Sequence, residues 1–323
     1  DWEEVNQGIS SLTKTGMIEE SELELKFIYS LKSYVEIHPE KNLKFKESKE
    51  NGIQVYHLTL PIENGSVTYL IRPQVELGER DGVSNSTRSD FYFKCVEVIQ
   101  NLQVINDIEV IQSFQDLAVY LDGYTYHASK EHLRFYDDLE KRNSIEETPN
   151  ISHWSLSWTD VLLFEDGLFD AFYLDVKKYR KCKQLLDQLP LQSEIDLNIL
   201  KAKNSIERLL WWLTSNKTTD VTLGYFFALF QELPGKNLVA IEDVSEFHNY
   251  NVPFSKKYAL APSATTYMIS DLTQSNELFK SRVLVKIGDL SPSVSFNVNE
   301  MSDINKVTWE NFLRLYSLLS KLR

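Results

Sequence analysis

The chain has 323 residues, of which 42% are hydrophobic and 25% charged, and its formal net charge is -13 at pH 7. This length exceeds the usual size of one domain, so we expect two domains, with enough chain to bury a sizeable core. The acidic balance excludes a uniformly basic nucleic-acid-binding surface but is compatible with a local basic patch.

Cysteine content and hydropathy narrow the class of protein. The two cysteines, Cys95 and Cys182, are far apart and are too few for a disulfide framework or a cysteine-rich zinc site. The most apolar stretch, 223–230, is far shorter than the ~18–20 residues of a membrane span. No signal peptide is visible. We therefore expect a cytoplasmic protein with reduced thiols and no membrane partner.

Hydrophobic periodicity predicts an α/β order in the first part of the chain. The sequence Ser-Glu-Leu-Glu at 21–24 is a capping-box pattern and predicts the start of a helix. A second helix is expected over 130–145. Alternating or apolar runs predict five strands, which lie at 53–60, 67–71, 90–98, 117–121 and 154–156, and the turn at 63–65 joins the first two as a hairpin. Strands that alternate with helices in this way indicate an α/β fold.

The later part of the chain is predicted to mix helices and strands. Helices are expected over 176–189 and 197–213, and a closing amphipathic helix has Trp309, Leu313 and Tyr316 at helical spacing. The predicted strands of this part are 221–230, 238–242 and 282–287. We therefore divide the chain into a lead-in at 1–20, an α/β domain at 21–170 and an α+β region at 171–323.

Two aspartates stand at the ends of neighbouring predicted strands. Asp90 begins an aromatic strand, and Asp122 ends the next central strand in an Asp-Gly pair. Adjacent strands could bring both carboxylates to one divalent cation, which would polarise a phosphate and lower the pKa of an attacking water. Glu24 on the first helix is a candidate third acid. Because Asp-Gly is also a common turn pair, a purely structural role for Asp122 is the alternative.

A histidine and an arginine follow these aspartates. His127 could act as a general base or as an acid for the leaving group, because imidazole titrates near neutral pH. Arg142, on the next predicted helix, could hold phosphate charge with its forked guanidinium. The ordinary alternatives are a structural histidine and an i,i+4 pair between Asp138 and Arg142.

A short basic cluster offers a candidate DNA-binding surface. Lys177, Lys178, Arg180 and Lys181 lie together in one predicted helix. Such a cluster could contact the phosphate backbone of DNA and would make binding depend on salt. A solvated helix face explains the same pattern equally well.

Four motifs in order carry a resemblance to a known family. They are Thr-Arg-Ser-Asp-Phe at 87–91, Ala-Val-Tyr-Leu-Asp-Gly-Tyr-Thr-Tyr-His at 118–127, Asp-Leu-Glu-Lys-Arg-Asn at 138–143 and Trp-Ser-Leu-Ser-Trp-Thr-Asp-Val at 154–161. The series resembles the Vsr-like branch of the PD-(D/E)XK nucleases. More narrowly, it resembles the C-terminal module of large DEAD/DEAH-box helicases in bacterial anti-phage systems of the Druantia and DISARM kind. The resemblance covers roughly residues 20–165 well.

This resemblance implies a fold, a site and a set of partners. The fold is a nuclease core at 21–170, with a mixed central sheet flanked by helices, followed by the α+β accessory region. By motif, Asp90 matches the first metal-binding aspartate, and Asp122 and His127 match the Asp and His of the strand end. Glu24 matches a helix glutamate near the Mg²⁺ ion. The implied partners are DNA, a helicase motor in the same polypeptide or complex, and other defence-system subunits.

The chain departs from the family pattern in ways that bear on catalysis. Relatives with a full motif carry Glu two residues before the Asp-Gly pair, where this chain has Tyr120, and the lysine of the family name is missing. A site short of one carboxylate binds Mg²⁺ more weakly. No phosphate loop or helicase metal box is present in this sequence, so the motor would lie elsewhere. Two functions therefore stay open: metal-dependent DNA cleavage, or a non-catalytic DNA-guiding or assembly role.

Overall fold

A mixed seven-stranded sheet organises the described part of the chain. The computed structural model describes residues 18–127, 134–165, 180, 204–215, 239–241, 266–271, 279–287, 292–298 and 306–320. The strands of the first sheet are β1 (Lys44–Glu50), β2 (Ile53–Ile62), β3 (Gly65–Leu77), β4 (Thr87–Gln100), β5 (Gln103–Val104), β6 (Asp116–Asp122) and β7 (Ile151–Ser157). Their order is β1-β2-β3-β4-β6-β7, and β5 pairs with β4.

Helices surround this sheet, and a second sheet follows later in the chain. The helices are α1 (Ile18–Ile37), α2 (Ile108–Ser113), α3 (Tyr124–His127), α4 (Phe135–Glu146), α5 (Trp158–Glu165), α6 (Ser205–Thr214) and α7 (Lys306–Leu319). The second sheet is antiparallel and contains β8 (Val239–Ile241), β9 (Thr266–Asp271), β10 (Phe279–Ile287) and β11 (Pro292–Val298). None of the helices in the described ranges is long and apolar enough to cross a membrane.

Strand direction in the first sheet follows from the connections. Strands β1 to β4 and β6 pair in antiparallel fashion, whereas β6 and β7 pair in parallel. Helix α4 lies between β6 and β7 in the chain and carries it back to the starting end of the sheet, as a parallel pair requires. The chain therefore leaves the sheet at Asp122. Helix α4 then runs back past the end of β6, and β7 begins at Ile151.

The two faces of the sheet have different partners. On one face, α1 packs against the central strands, and the rings of Phe27 and Phe91 are 5.3 Å apart. On the other face, Tyr92 and Tyr120 form a smaller cluster with Ile145 of α4. Because side chains alternate along a strand, the position of Tyr120 puts Asp122 on the side of the sheet that α4 covers.

Two helices from beyond residue 170 complete the larger core. Trp212 of α6 and Trp309 of α7 are almost fully buried, and Trp212 packs edge-on against Trp154 of β7. Helix α7 also covers the edge of the sheet, where the Ser155 backbone N–H donates to Ser317 Oγ at 2.8 Å. The core therefore draws on both sides of the predicted domain boundary.

The predicted α/β order is confirmed, with two local corrections. The capping box was wrong, because α1 already includes residues 18–20 and Ser21 lies inside the helix. The predicted continuous helix 197–213 was wrong at Asn204, which has an extended backbone and caps α6 by accepting from the Glu207 N–H at 2.9 Å; residues 197–203 lie outside the described residues. The predicted elements at 176–189, apart from Arg180, and at 221–230 lie outside the described residues.

Candidate functional site

A buried ion pair forms where β6 ends. Arg142 of α4 directs Nη2 at both carboxylate oxygens of Asp122, with distances of 2.6 and 2.5 Å. Only 5% of the Arg142 side chain and 3% of the Asp122 side chain are exposed. Burial alone would lower the pKa of Arg142, but the charges of Asp122 and Asp138 outweigh burial and raise it. Arg142 is therefore a permanent cation at this strand end.

Tyr120 supports the guanidinium from the strand. The centre of the Arg142 guanidinium lies 5.0 Å from the centre of the Tyr120 ring, which is the geometry of a cation–π contact. The Tyr120 hydroxyl is 3.1 Å from the Thr87 hydroxyl of β4, so the ring is fixed at both ends. Burial raises the pKa of Tyr120 and outweighs the hydrogen bond to Thr87 and the charge of Arg142, which lower it. The phenol therefore stays neutral.

The single turn of α3 places His127 beside the ion pair. The His127 backbone N–H donates to Gly123 O at 3.1 Å, which folds the chain back over the end of β6. His127 Nδ1 donates to Asp138 Oδ2 at 2.6 Å, and Nε2 lies 3.8 Å from Asp122 Oδ1. The imidazole therefore lies between two carboxylates, one on β6 and one on α4.

The charges around His127 control its protonation. Burial alone would lower the pKa of His127, but the charge of Asp122 and the hydrogen bond and charge of Asp138 together raise it. Burial alone would raise the pKa of Asp138, but the hydrogen bond to His127 and the charge of Arg142 lower it. The pair is thus stabilised as imidazolium and carboxylate.

The other predicted acids have different positions. Asp90 Oδ2 accepts from the Leu121 backbone N–H at 2.6 Å, just beyond the last β4–β6 pair, so that β4 delivers this carboxylate beside the strand end. Glu24 Oε1 accepts from Gln74 Nε2 of β3 at 2.6 Å. The prediction that Asp90 and Asp122 lie on adjacent strands is confirmed by the pairing of β4 with β6.

The structure therefore brings together part of the predicted set. Asp122, His127 and Arg142 are in one cluster with Asp138. The expected i,i+4 pairing of Asp138 with Arg142 is replaced by two separate pairs, because Asp138 bonds to His127 and Arg142 bonds to Asp122. From the basic cluster, Arg180 is exposed, whereas Lys177, Lys178 and Lys181 lie outside the described residues.

The arrangement around Asp122 does not fit the predicted Mg²⁺ site. Both oxygens of Asp122 accept from a cation that the chain itself supplies, and a divalent ion would have to displace the buried guanidinium. Among the described residues, no group of three or more His, Cys, Asp or Glu side chains could hold a metal ion. The chemistry that this cluster offers is proton exchange at His127, flanked by fixed charges.

Sequence reasoning missed the residues that hold α4 in place. The side chain of Asn143, next to Arg142, accepts a hydrogen bond from the Tyr316 hydroxyl of α7. The Tyr316 ring lies 4.2 Å from the ring of His153, and His153 bonds to Glu146 at the end of α4. The helical spacing of α7 indicated only its buried face, since polar contacts between distant segments leave no local pattern.

No family model, no curated protein and no solved structure matches this chain.

We predict a large loss of stability when the ion pair is broken from one side. Arg142→Ala leaves the Asp122 charge buried without its partner and should lower the free energy of unfolding by about 3–5 kcal/mol. Lys141→Ala, next along the helix, removes an exposed pair with Asp137 and should change it by less than about 1 kcal/mol. Urea denaturation measures both values. Equal, small effects of the two substitutions would contradict the importance of the buried pair.

We predict that the His127–Asp138 pair contributes stability in a defined pH window. The folded pKa of His127 is raised above its ordinary 6.5, so its contribution is complete below about pH 6.5 and is lost as the pH rises through the folded pKa. The folded pKa of Asp138 is lowered, so its contribution is lost only as the pH falls below about 4. The stability difference between wild type and His127→Gln should therefore shrink from about pH 5 to about pH 9. A difference that does not vary with pH would contradict this assignment.

Proposed function

We propose that this chain is a nuclease-fold module without metal-dependent cleavage, which guides DNA or holds subunits together in a helicase complex of bacterial anti-phage defence. The observation that carries the proposal is the buried guanidinium of Arg142 on both oxygens of Asp122. A nuclease of this class needs a divalent cation at that carboxylate. Here the position is filled from within the chain.

The element order supports a nuclease-type fold. Helix α1 is followed by the antiparallel strands, then by the crossover helix α4 and the parallel strand β7, so that a mixed sheet is flanked by helices. Asp90 and Asp122 come from adjacent strands, where the resemblance expects its acids. His127 lies next to Asp122, also as expected.

One departure from the family pattern contributes to the ion pair. Tyr120 stands where relatives with a full motif carry Glu, and its ring is the surface on which Arg142 rests. Tyr in place of Glu removes one negative charge and provides an aromatic contact for a cation. Removal of the guanidinium from this position would leave a buried carboxylate uncompensated, so the ion pair itself opposes metal binding.

A second candidate is catalysis by the same site. The specific observation in its favour is His127, whose pKa is raised by two carboxylates and whose side chain remains 22% exposed. An imidazolium that can reach solvent is suited to protonate a leaving group. This candidate requires that Arg142 leave Asp122 when DNA and metal bind.

DNA contact in the proposed function is local. With a net charge of -13, most of the surface repels a phosphate backbone, so binding has to rely on a limited basic patch. The sequence offers Lys177, Lys178, Arg180 and Lys181, and Arg180 is exposed. The motor that moves the DNA would belong to another part of the polypeptide or to a partner.

We predict that the chain does not cleave DNA above background. With supercoiled plasmid and Mg²⁺ or Mn²⁺, nicking by the wild type should be no faster than nicking by Asp90→Ala and Asp122→Ala, because no cation replaces Arg142. Gel analysis of the plasmid forms measures the rate. Metal-dependent nicking that both variants lose would instead establish the catalytic candidate.

We predict that charge reversal in the basic cluster weakens DNA binding. Replacement of Lys177, Lys178 and Lys181 by Glu should lower affinity and flatten the dependence of the logarithm of affinity on the logarithm of salt concentration, by about 0.9 for each lost phosphate contact. In the matched control, Glu replaces three exposed lysines of β1, namely Lys44, Lys46 and Lys49. Fluorescence anisotropy with labelled DNA measures both. Equal effects of the two triple variants would show that the cluster is an ordinary solvated helix face.

A further inference from the structure

The hairpin between β4 and β5 presents an unusual residue at its tip. Gln100 pairs with Gln103, so the loop consists of Asn101 and Leu102 alone. Both have positive φ, at 50° and 64°. The Leu102 side chain is 97% exposed, the highest value among the large apolar residues of the described part.

This turn geometry does not favour leucine. A two-residue loop with positive φ at both positions prefers Asn followed by Gly, because a side chain with Cβ is disfavoured in the left-handed region. Asn101 follows that preference and Leu102 does not. Since Leu102 is almost entirely exposed, packing within the chain does not account for its presence.

Two more exposed apolar side chains follow within a few residues. Val104 is 55% exposed and Ile108 is 65% exposed, whereas Ile105 between them packs against the core. Leu102, Val104 and Ile108 are here named the hairpin corner. Single exposed apolar residues are ordinary on protein surfaces, whereas three within seven residues, one of them at a hairpin tip, offer a candidate contact surface.

The chain segments next to the hairpin corner carry exposed acids and no lysine or arginine. The turn between β2 and β3 lies directly beside the hairpin corner, because the Asn101 backbone N–H donates to Asn64 O at 2.8 Å. The hairpin's own segment, 95–116, and the segment 54–71 that contains the neighbouring turn have no Lys or Arg, and the exposed lysines of β1 lie three strands away in the sheet. Their exposed acids are Glu63, Asp107 and Glu109. A phosphate backbone or an anionic lipid surface would be repelled here.

We propose that the hairpin corner is a docking element for a partner protein, which receives Leu102 in an apolar pocket rimmed by Lys or Arg. The apolar tip defines the pocket, and the acidic surroundings define its rim. The corner lies at the opposite end of β4 from Asp90, so this contact leaves the Asp122 cluster accessible. It does not depend on whether that cluster is catalytic.

A photocrosslinker at position 102 tests this proposal in the complete polypeptide and its native cells. Leu102 is replaced by p-benzoylphenylalanine, and the crosslinked peptides are identified by mass spectrometry. The matched control carries the same group at Ile53, which is 58% exposed at a different turn. We expect position 102, and not position 53, to crosslink to one site on one other protein, at apolar residues flanked by Lys or Arg.

Two variants separate docking from folding. Leu102→Asn keeps a residue that accepts positive φ, so its melting temperature should not fall, while affinity for the identified partner should fall more than about tenfold. Asp107→Asn with Glu109→Gln should weaken the same complex and reduce its salt dependence. Crosslinks scattered over many proteins, to DNA or to a second copy of this chain would overturn the proposal, as would unchanged affinity in Leu102→Asn.

Discussion

The buried pair of Asp122 and Arg142 is the interaction on which the site depends. Each charge loses several kcal/mol of hydration when it leaves water, so neither is stable at this depth without the other. The pair fixes how α4 lies across the end of β6. The same position of α4 is held by Tyr120 of β6, which contacts the guanidinium, and by the Tyr316 hydroxyl of α7, which donates a hydrogen bond to Asn143.

In the proposed function, this pair is the reason that the site does not bind a metal ion. Adjacent strands deliver Asp90 and Asp122 together, and α3 brings His127 within 3.8 Å of Asp122, so most of the polar groups expected for phosphodiester cleavage are present. The cation among them, however, is a guanidinium. It neutralises Asp122 without offering a coordination position to water or phosphate. In that function, the charge of Asp122 is balanced by Arg142, and no metal ion activates water.

The sequence predicted the parts of the fold that depend on local pattern. The apolar run of β6 and the aromatic run of β4 indicated strands, and Asp122 ends β6 as predicted, whereas β4 already begins at Thr87, so that Asp90 lies inside it. Partner choice was not predictable, because Arg142 has Asp138 one turn away on its own helix and nevertheless bonds to Asp122 on a strand. Likewise, the periodicity of α6 and α7 predicted buried faces but not that both faces enter the first core across residue 170.

The most direct test is a Mn²⁺ titration of the purified chain. NMR spectra monitor it through the paramagnetic broadening of the His127 ring signals. His127 touches Asp122, so an ion bound there would broaden its ring first. With Arg142 on Asp122, we expect no saturable broadening at millimolar Mn²⁺. Saturable broadening in the wild type that Asp122→Asn abolishes would show that a metal ion replaces Arg142 at this carboxylate, and it would contradict the non-catalytic function.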